Sequence, residues 1–254
     1  MLKFERLERI EQYVNQNRYA TINELASQFS ISSATIRRDL ELLSGQNRVT
    51  LTRGGVVSNQ ANVVEERPYS EKLGDNQEEK KRIAQAAAAM IRPGTTILVD
   101  SGTTNRAMIP FLQEVGPVNI VTNDVVIAGE LTSCRDADVT VLGGTLRKGY
   151  FTLVGHYAES MVAQMRADIA FLGMDAVNLK GGCMIANMNE VGPKRAMIQA
   201  ARQVVVVCDH SKFEMESFLT VCPLDQVGTF LTGKELSRYV GEAFAEAGCV
   251  IRYV

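Results

Sequence analysis

Two adjacent arginines, Arg37 and Arg38, follow a cluster of short hydroxyl side chains, Ser32, Ser33 and Thr35. A guanidinium fork can pair with two acceptors at once, on a guanine edge or on phosphate oxygens. Hydroxyls beside free backbone N–H groups at a helix start suit phosphate. A different chemistry recurs further on, in three small polar loops: Asp100-Ser101-Gly102-Thr103-Thr104, Thr122-Asn123-Asp124 and Gly143-Gly144-Thr145. Gly102 lets backbone approach a ligand closely, and the hydroxyls can meet a phosphate or sugar hydroxyls. Arg147 and Lys148 follow the third loop, and either could neutralise phosphate. Asp209 and Lys212 stand after another apolar run.

The arginines need an element to aim them. Ile22, Leu25, Ala26 and Phe29 recur at helical spacing, Phe29-Ser30-Ile31 breaks the pattern, and Ile36, Leu40 and Leu43 begin a second stripe. Ser32 is placed to cap the second helix. Two short helices with a tight turn form a helix-turn-helix, whose second helix enters the DNA major groove by its N-terminal end. Arg37 and Arg38 lie off the apolar stripe, and Asp39 is placed to pair with one of them. An amphipathic helix over 4–17 precedes the pair. A β-prone run from Arg48 with a Gly54-Gly55 corner follows it and reads as a wing, with Arg53 and Gly54 able to meet phosphate. Residues 1–57 are therefore expected to form an all-α winged helix-turn-helix with a short β wing, and the polar stretch 58–76, with Pro68 and Gly74, a linker.

From residue 77 to 254 short β-branched runs alternate with helical segments, beginning with an Ala-rich helix over 78–91. Near-continuous apolar strands separated by helices imply an α/β domain with a mostly parallel sheet covered on both faces. Ligands in such sheets bind outside the strands' carboxyl ends, where this chain puts its Asp, Ser, Thr, Asn and Gly.

The chain's 254 residues suit two domains. A net charge of -2 excludes a binder that relies on bulk positive field, although residues 1–60 carry eight Lys and Arg against six Asp and Glu. DNA affinity must come from focused contacts and from oligomerisation. The charged N-terminus does not read as a signal peptide, and no apolar run suffices for a membrane span, so a cytoplasmic protein is expected. Five scattered cysteines read as buried apolar residues in a reducing compartment. His156 and His210 lack metal-ligand spacing with each other or with any cysteine, so neither a metal nor a cofactor is expected.

The residues Arg6-Leu7, Glu24-Leu25-Ala26, Ser33-Ala-Thr-Ile-Arg-Arg-Asp-Leu40 and Arg53-Gly54-Gly55-Val56 resemble the DNA-binding domain of the DeoR family of bacterial transcription regulators. The second domain resembles that family in Asp100-Ser-Gly-Thr-Thr104, Thr122-Asn123, Gly143-Gly144, Asp168-Ile-Ala-Phe-Leu-Gly173, Glu190 with Lys194-Arg-Ala-Met197, and Asp209-His-Ser-Lys-Phe213. The resemblance implies a sensor domain similar in fold to ribose-5-phosphate isomerase. It also implies a phosphorylated sugar or related metabolite that releases a repressor of carbohydrate genes from double-stranded operator DNA. It turns Glu190 and Lys194, otherwise a surface pair one helical turn apart, into pocket residues. Arg53 replaces the family's usual His before the wing glycines. The apolar run Cys183-Met-Ile-Ala-Asn-Met188 stands where many members carry threonines, and in that respect the chain is more similar to the glycerol-3-phosphate repressor branch.

Two other functions fit parts of the sequence. An isomerase-like enzyme fused to a DNA-binding domain could press Asp100, Asp124, Glu190 and Lys194 into acid–base work, but fold analogy does not confer catalysis. A ligand-independent DNA binder would have no use for the polar loops. One reading head contacts one half-site, so a homo-oligomer, dimer or tetramer, held mainly by the C-terminal domain, is expected.

Overall fold

The computed structural model describes residues 3–17, 19–46, 48–51, 55–58 and 66–254. It divides into two compact units, Met1–Asn62 and Val63–Val254. The first unit runs α1 (Lys3–Asn17), β1 (Tyr19–Thr21), α2 (Ile22–Phe29), α3 (Ser33–Gly45), β2 (Val49–Leu51) and β3 (Gly55–Ser58). Its core joins Ile10 and Val14 of α1, Leu25 of α2, and Ile36, Leu40 and Leu43 of α3 with Val49 and Val56 of the wing. Thr21 starts α2 with a reciprocal cap. Its hydroxyl accepts the Glu24 N–H at 3.1 Å, while its own N–H donates to the Glu24 carboxylate at 2.7 Å. Ser30 takes a left-handed conformation, φ 53°, and turns the chain from α2 into α3. The wing is antiparallel in the order β1-β3-β2. Strand β1 is an addition to the expected hairpin; at three residues it is too short to show a period.

The second unit opens with α4 (Tyr69–Gly74) and α5 (Gln77–Ala88). There follow β4 (Thr96–Val99), α6 (Thr103–Arg106), α7 (Ile109–Leu112), β5 (Val118–Thr122), α8 (Val125–Leu131) and β6 (Ala137–Val141). A hairpin, β7 (Thr145–Leu146) and β8 (Leu153–Val154), leads to α9 (His156–Ala163), β9 (Ala167–Leu172), β10 (Ala176–Asn178), β11 (Gly182–Ile185) and α10 (Met188–Ala200). The chain ends through β12 (Ala201–Val207), β13 (Leu219–Cys222), β14 (Thr229–Thr232), α11 (Arg238–Glu246) and β15 (Ile251–Tyr253).

Seven strands form a parallel sheet in the order β15-β14-β12-β9-β4-β5-β6. Its strands are apolar on both faces because each face has its own core. Ile97 and Val99, Ile169 and Phe171, and Val205 and Val207 face one. Leu98, Ala170, Leu172, Val204 and Val206 face the other, as a two-residue period under two covering layers requires. A small antiparallel sheet, β10-β11-β13, packs beside this framework. The five cysteines are free and buried.

Residues 58–76 do not act as a linker throughout. Tyr69 is buried and meets Phe151 edge-on, at 5.3 Å between ring centres, so α4 belongs to the second unit. Its six residues are too few for periodicity to reveal it. The expected helix over 104–114 is two short pieces, α6 and α7.

Candidate functional site

In the first unit the candidate surface is the start of α3. The Ser32 hydroxyl accepts the Thr35 N–H at 3.2 Å and hydrogen-bonds the Thr35 hydroxyl at 2.9 Å, which fixes the helix end. Ser33 is half-buried, while Arg37 and Arg38 are exposed and make no ion pair among the described residues. Asp39 does not hold either of them. It is buried and takes the fork of Arg6 instead, at 2.6 and 3.1 Å, because the residue after Arg38 turns inward toward α1. The hydrogen bonds to Asp39 hold the Arg6 pKa above its ordinary value. Arg48 is likewise tied to α1, through Glu8 at 2.7 Å and through Glu11. Arg37 and Arg38 thus present two guanidinium groups with no ion pair among the described residues, while the next residue, Asp39, is braced inward by Arg6. Arg53 and Gly54 lie outside the described residues.

In the second unit a cleft opens at the carboxyl edge of the sheet, where β4 and β9 lie side by side. The chain lays β4, β5 and β6 outward on one side of that point, then returns to build β9, β12, β14 and β15 on the other. Such a switch point is where open α/β sheets leave room for a ligand. Ser101 to Asn105 line the cleft after β4, Gly173 to Asp175 after β9, and Asp209 and Lys212 after β12. Glu190 and Lys194 reach it from α10, and Ile185 from β11. Tyr150 and Thr152 come from the hairpin, and Glu66, Tyr69, Lys72, Asp75 and Lys80 from the segment that precedes the sheet.

The loop after β4 is built to stay open. Gly102 has φ +145°, a conformation that other residues rarely adopt. The Ser101 N–H is held by Asn123 Oδ1 at 3.0 Å, and the Ser101 hydroxyl donates to Asp124 at 2.7 Å and accepts from Thr152 at 2.6 Å. The N–H groups of Gly102, Thr103 and Thr104 have no acceptor among the described residues. Asp124 also caps α8, accepting the Val126 and Ile127 N–H groups at 2.8 and 3.0 Å. Burial raises its pKa despite those bonds.

Behind this loop sits a buried charge cluster. Lys194 Nζ donates to Asp100 Oδ2 and, at 2.9 Å, to the Gly173 carbonyl. The same Asp100 oxygen accepts the Gly173 N–H at 3.1 Å. Burial works against the Lys194 ammonium, but Asp100 and Glu190 outweigh it and hold its pKa above the ordinary value. Burial likewise raises Glu190, against the pull of Lys194 and Arg147. Arg147 donates to Glu190 at 2.6 Å and to Glu66, and its guanidinium stacks 3.8 Å from the Tyr150 ring centre. Lys72 pairs with Asp175 at 2.7 Å and, against burial, holds that carboxyl below its usual range. The charge of Lys212, without a direct contact, likewise holds the Asp209 carboxyl below its usual range against burial. No ion pair involves the Lys212 ammonium among the described residues.

Eight of the expected pocket residues line the cleft: Ser101, Gly102, Thr103, Thr104, Glu190, Lys194, Asp209 and Lys212. Asp100 and Arg147 stand behind them as ion-pair partners. Thr122, Asn123 and Asp124 do not line it; they brace the Ser101 loop, the Thr122 hydroxyl accepting the Asp124 N–H at 3.1 Å. Gly143 and Gly144 do not line it either. The Gly143 N–H meets Met161 sulfur, and a Cβ on Gly144 would come within 2.7 Å of the Val154 carbonyl, so this pair exists for close hairpin packing. The sequence reading misses Glu66, Tyr69, Lys72 and Asp75: only Tyr69 and Lys72 lie in α4, while Glu66 precedes it and Asp75 follows it, so no helical period marks them as a group. It also misses that Glu79, Asp209 and His210 bring ligand-type atoms within 4.8 Å of one another. Hydrogen bonds already engage that group: Glu79 accepts the His210 N–H at 2.7 Å and the Gly233 N–H at 3.1 Å, and Asp209 accepts from Asn76 at 2.9 Å.

A helix-turn-helix unit followed by an α/β unit with a polar switch-point cleft is the arrangement of a transcription regulator. Residues 6–62 match the DeoR-like helix-turn-helix domain and residues 75–234 the DeoR C terminal sensor domain. The chain is 32% identical over 223 residues to the glycerol-3-phosphate regulon repressor of Escherichia coli K12, covering 88% of each. It is 32% identical over 251 residues to the HTH-type transcriptional regulator GlpR of Haloferax volcanii, covering 99% of this chain and 98% of that one. A ribose 5-phosphate isomerase A of Methanocaldococcus jannaschii matches 55% of each chain at 18% identity with a TM-score of 0.40. The chain belongs to the DeoR family of helix-turn-helix transcription regulators. Among the described residues no helix is long and apolar enough to cross a membrane.

Proposed function

We propose that this regulator is a repressor of carbohydrate genes in the cytoplasm, released from double-stranded operator DNA when a phosphorylated sugar or polyol enters the switch-point cleft. The observation that carries the effector class is the loop after β4. Three backbone N–H groups without acceptors among the described residues, at Gly102, Thr103 and Thr104, border a cleft that also holds Lys212, which makes no ion pair among them. Converging N–H groups and a cation suit a phosphate, while Glu190 and Asp209 can accept from hydroxyl groups. The repressors among its relatives favour regulation over catalysis for the same cleft. Arg37 and Arg38 read the major groove, and Ser33 and Thr35 meet the flanking phosphates. Arg53 and Gly54 of the wing add a backbone contact. Each head reads one half-site, so the working form is a homo-oligomer, dimer or tetramer.

Fluorescence anisotropy with DNA from upstream of the protein's own gene tests this reading. Addition of glycerol 3-phosphate or another sugar phosphate should release the DNA. The same compound at a hundred times its Kd should stabilise the fold by about 2.7 kcal/mol. Operator binding indifferent to every phosphorylated compound that stabilises the protein would sink the proposal.

A further inference from the structure

The segment that leads from the DNA-reading unit into the sensor is itself a wall of the cleft. Ten residues separate Ser58 of β3 from Tyr69 of α4, and Glu66, Tyr69, Lys72 and Asp75 all line the cleft. Little apolar surface fastens this segment. Tyr69 is buried, but Arg67, Pro68 and Ser70 are exposed and Leu73 is 39% exposed. Polar contacts do most of the holding. Glu66 takes Arg147, Lys72 takes Asp175, and the Tyr150 hydroxyl donates to the Arg67 carbonyl at 3.2 Å.

Glu66 is the surplus carboxylate in its neighbourhood. Arg147 already has Glu190 at 2.6 Å, and Lys194 has Asp100. Two cations therefore face three carboxylates, Glu66, Glu190 and Asp100, and Glu66 is the most exposed of the three at 22%. It is the carboxylate of the three that leaves at least cost, since it is the one least removed from water. Arg147 would not collapse when it leaves. Arg147 stands behind the cleft wall, and Tyr150 and Glu190, which line it, still hold the guanidinium in place; the edge of its fork that Glu66 leaves is then a second anion contact of the same cleft, beside the loop after β4.

We propose that Glu66 is a built-in competitor for the anionic group of the effector: a ligand phosphate that takes Arg147 displaces Glu66 and frees residues 66–75 from the cleft wall. This rests on the effector reading above and names how the site reports to the reading unit. The face that the segment turns to the cleft carries Glu66, Lys72 and Asp75, a net charge of -1, so an entering dianion disfavours its docking further. A ligand that prefers the undocked state shifts the population by its differential affinity alone. The docked segment must in turn weaken the ligand by the same factor.

Binding of inorganic phosphate and of glycerol 3-phosphate to the full chain, measured by calorimetry, tests the competition. Glu66→Gln keeps the side chain's size and removes its charge, and should tighten both ligands about three- to tenfold. Glu71→Gln removes the same charge from the same segment, in α4, at a residue that pairs with Arg67 and does not line the cleft. It should leave both affinities within about twofold. Amide hydrogen exchange supplies the second readout. Exchange in residues 69–76 should quicken in Glu66→Gln without ligand, and in the unmodified chain when phosphate is added, while residues 102–105 become protected. Unchanged or weaker binding by Glu66→Gln would overturn the competition and leave the effector reading standing. Equal tightening by Glu71→Gln would overturn it too, as general electrostatics. Failure of both ligands to bind any of the three chains would overturn both readings together.

Discussion

Replacing Lys194 by methionine keeps the length of the side chain and removes its charge. In the folded sensor Lys194 is 3% exposed and Asp100 is 1% exposed, so neither can turn to water. The substitution leaves the Asp100 carboxylate buried beside the Gly173 N–H alone, with its Oδ1 already lacking a hydrogen-bond partner among the described residues. Stranding one member of a buried pair costs about 3–5 kcal/mol. The second unit spans 192 residues, for which each kcal/mol lowers Tm by about 2–4 °C, so the melt should fall by about 6–20 °C. The decisive step is the second substitution. Asp100→Asn added to Lys194→Met removes the stranded charge and keeps an oxygen for the Gly173 N–H. The double variant should regain all but about 1–2 kcal/mol, the remainder being the lost Lys194 bond to the Gly173 carbonyl at 2.9 Å. The double variant should therefore be about 1–4 kcal/mol more stable than Lys194→Met alone. Urea unfolding of the full chain followed by circular dichroism measures both differences. The pH dependence has a defined sign. Asp100 and Glu190 hold the Lys194 pKa above its ordinary value against burial, so its stabilisation is complete below about pH 10.4 and fades only as pH rises through the folded pKa. The Lys194 ammonium should therefore add no slope to the stability of the unmodified chain from about pH 6 to 9. A double variant no more stable than the single one would refute the argument from charge stranding.

Arg37→Ala should weaken operator binding by about 1–3 kcal/mol per half-site in a gel-shift assay and leave the melting curve unchanged, because the side chain is exposed and makes no ion pair among the described residues; unchanged affinity would remove Arg37 from the reading surface. Arg6→Ala should instead destabilise the first unit by about 1.5–3 kcal/mol, since it strips the buried Asp39 of both its bonds, and chemical denaturation reads the difference. Gly102→Ala meets no atom within 4 Å, so its cost is backbone strain alone, about 1–3 kcal/mol; a neutral melt would show that the loop does not need φ +145°. The hydrogen bond to Glu79 raises the His210 pKa, against burial. Its stabilisation is therefore complete below about pH 6.5 and lost as pH rises through the folded pKa. Stability should fall from about pH 6 to 8 more steeply in the unmodified chain than in His210→Asn, and parallel pH profiles would contradict this.

How much of this was legible in the sequence depends on the length over which a pattern runs. The turn between α2 and α3 announces itself because apolar stripes on both sides span two helical turns each, and the parallel sheet does so because strands such as Val204–Val207 are apolar on consecutive residues. The loop after β4 is readable for a local reason: a glycine between hydroxyl residues at a strand's end has few structural uses. The failures share a cause. Asn123, Asp124 and Gly144 have the composition of ligand-binding residues, but their partners, the Ser101 N–H and hydroxyl and the Val154 carbonyl, are distant in sequence. Only the fold shows that those groups are already satisfied. Asp39 is assigned to the wrong arginine for the same reason, since Arg6 lies 33 residues away.

The segment at 66–75 fails in the opposite direction. Its composition says linker, because a wall held by ion pairs needs no apolar stripe. Tyr69 and Lys72 lie three apart on one face of α4, and Glu66 before the helix and Asp75 after it line the same cleft. One aromatic among three charged residues makes a wall that docks by charge and can leave by charge. A stripe of leucines would bind the wall permanently, and such a wall could carry no signal. The polarity that hides α4 from a search for core helices is the property that an anion-operated latch requires.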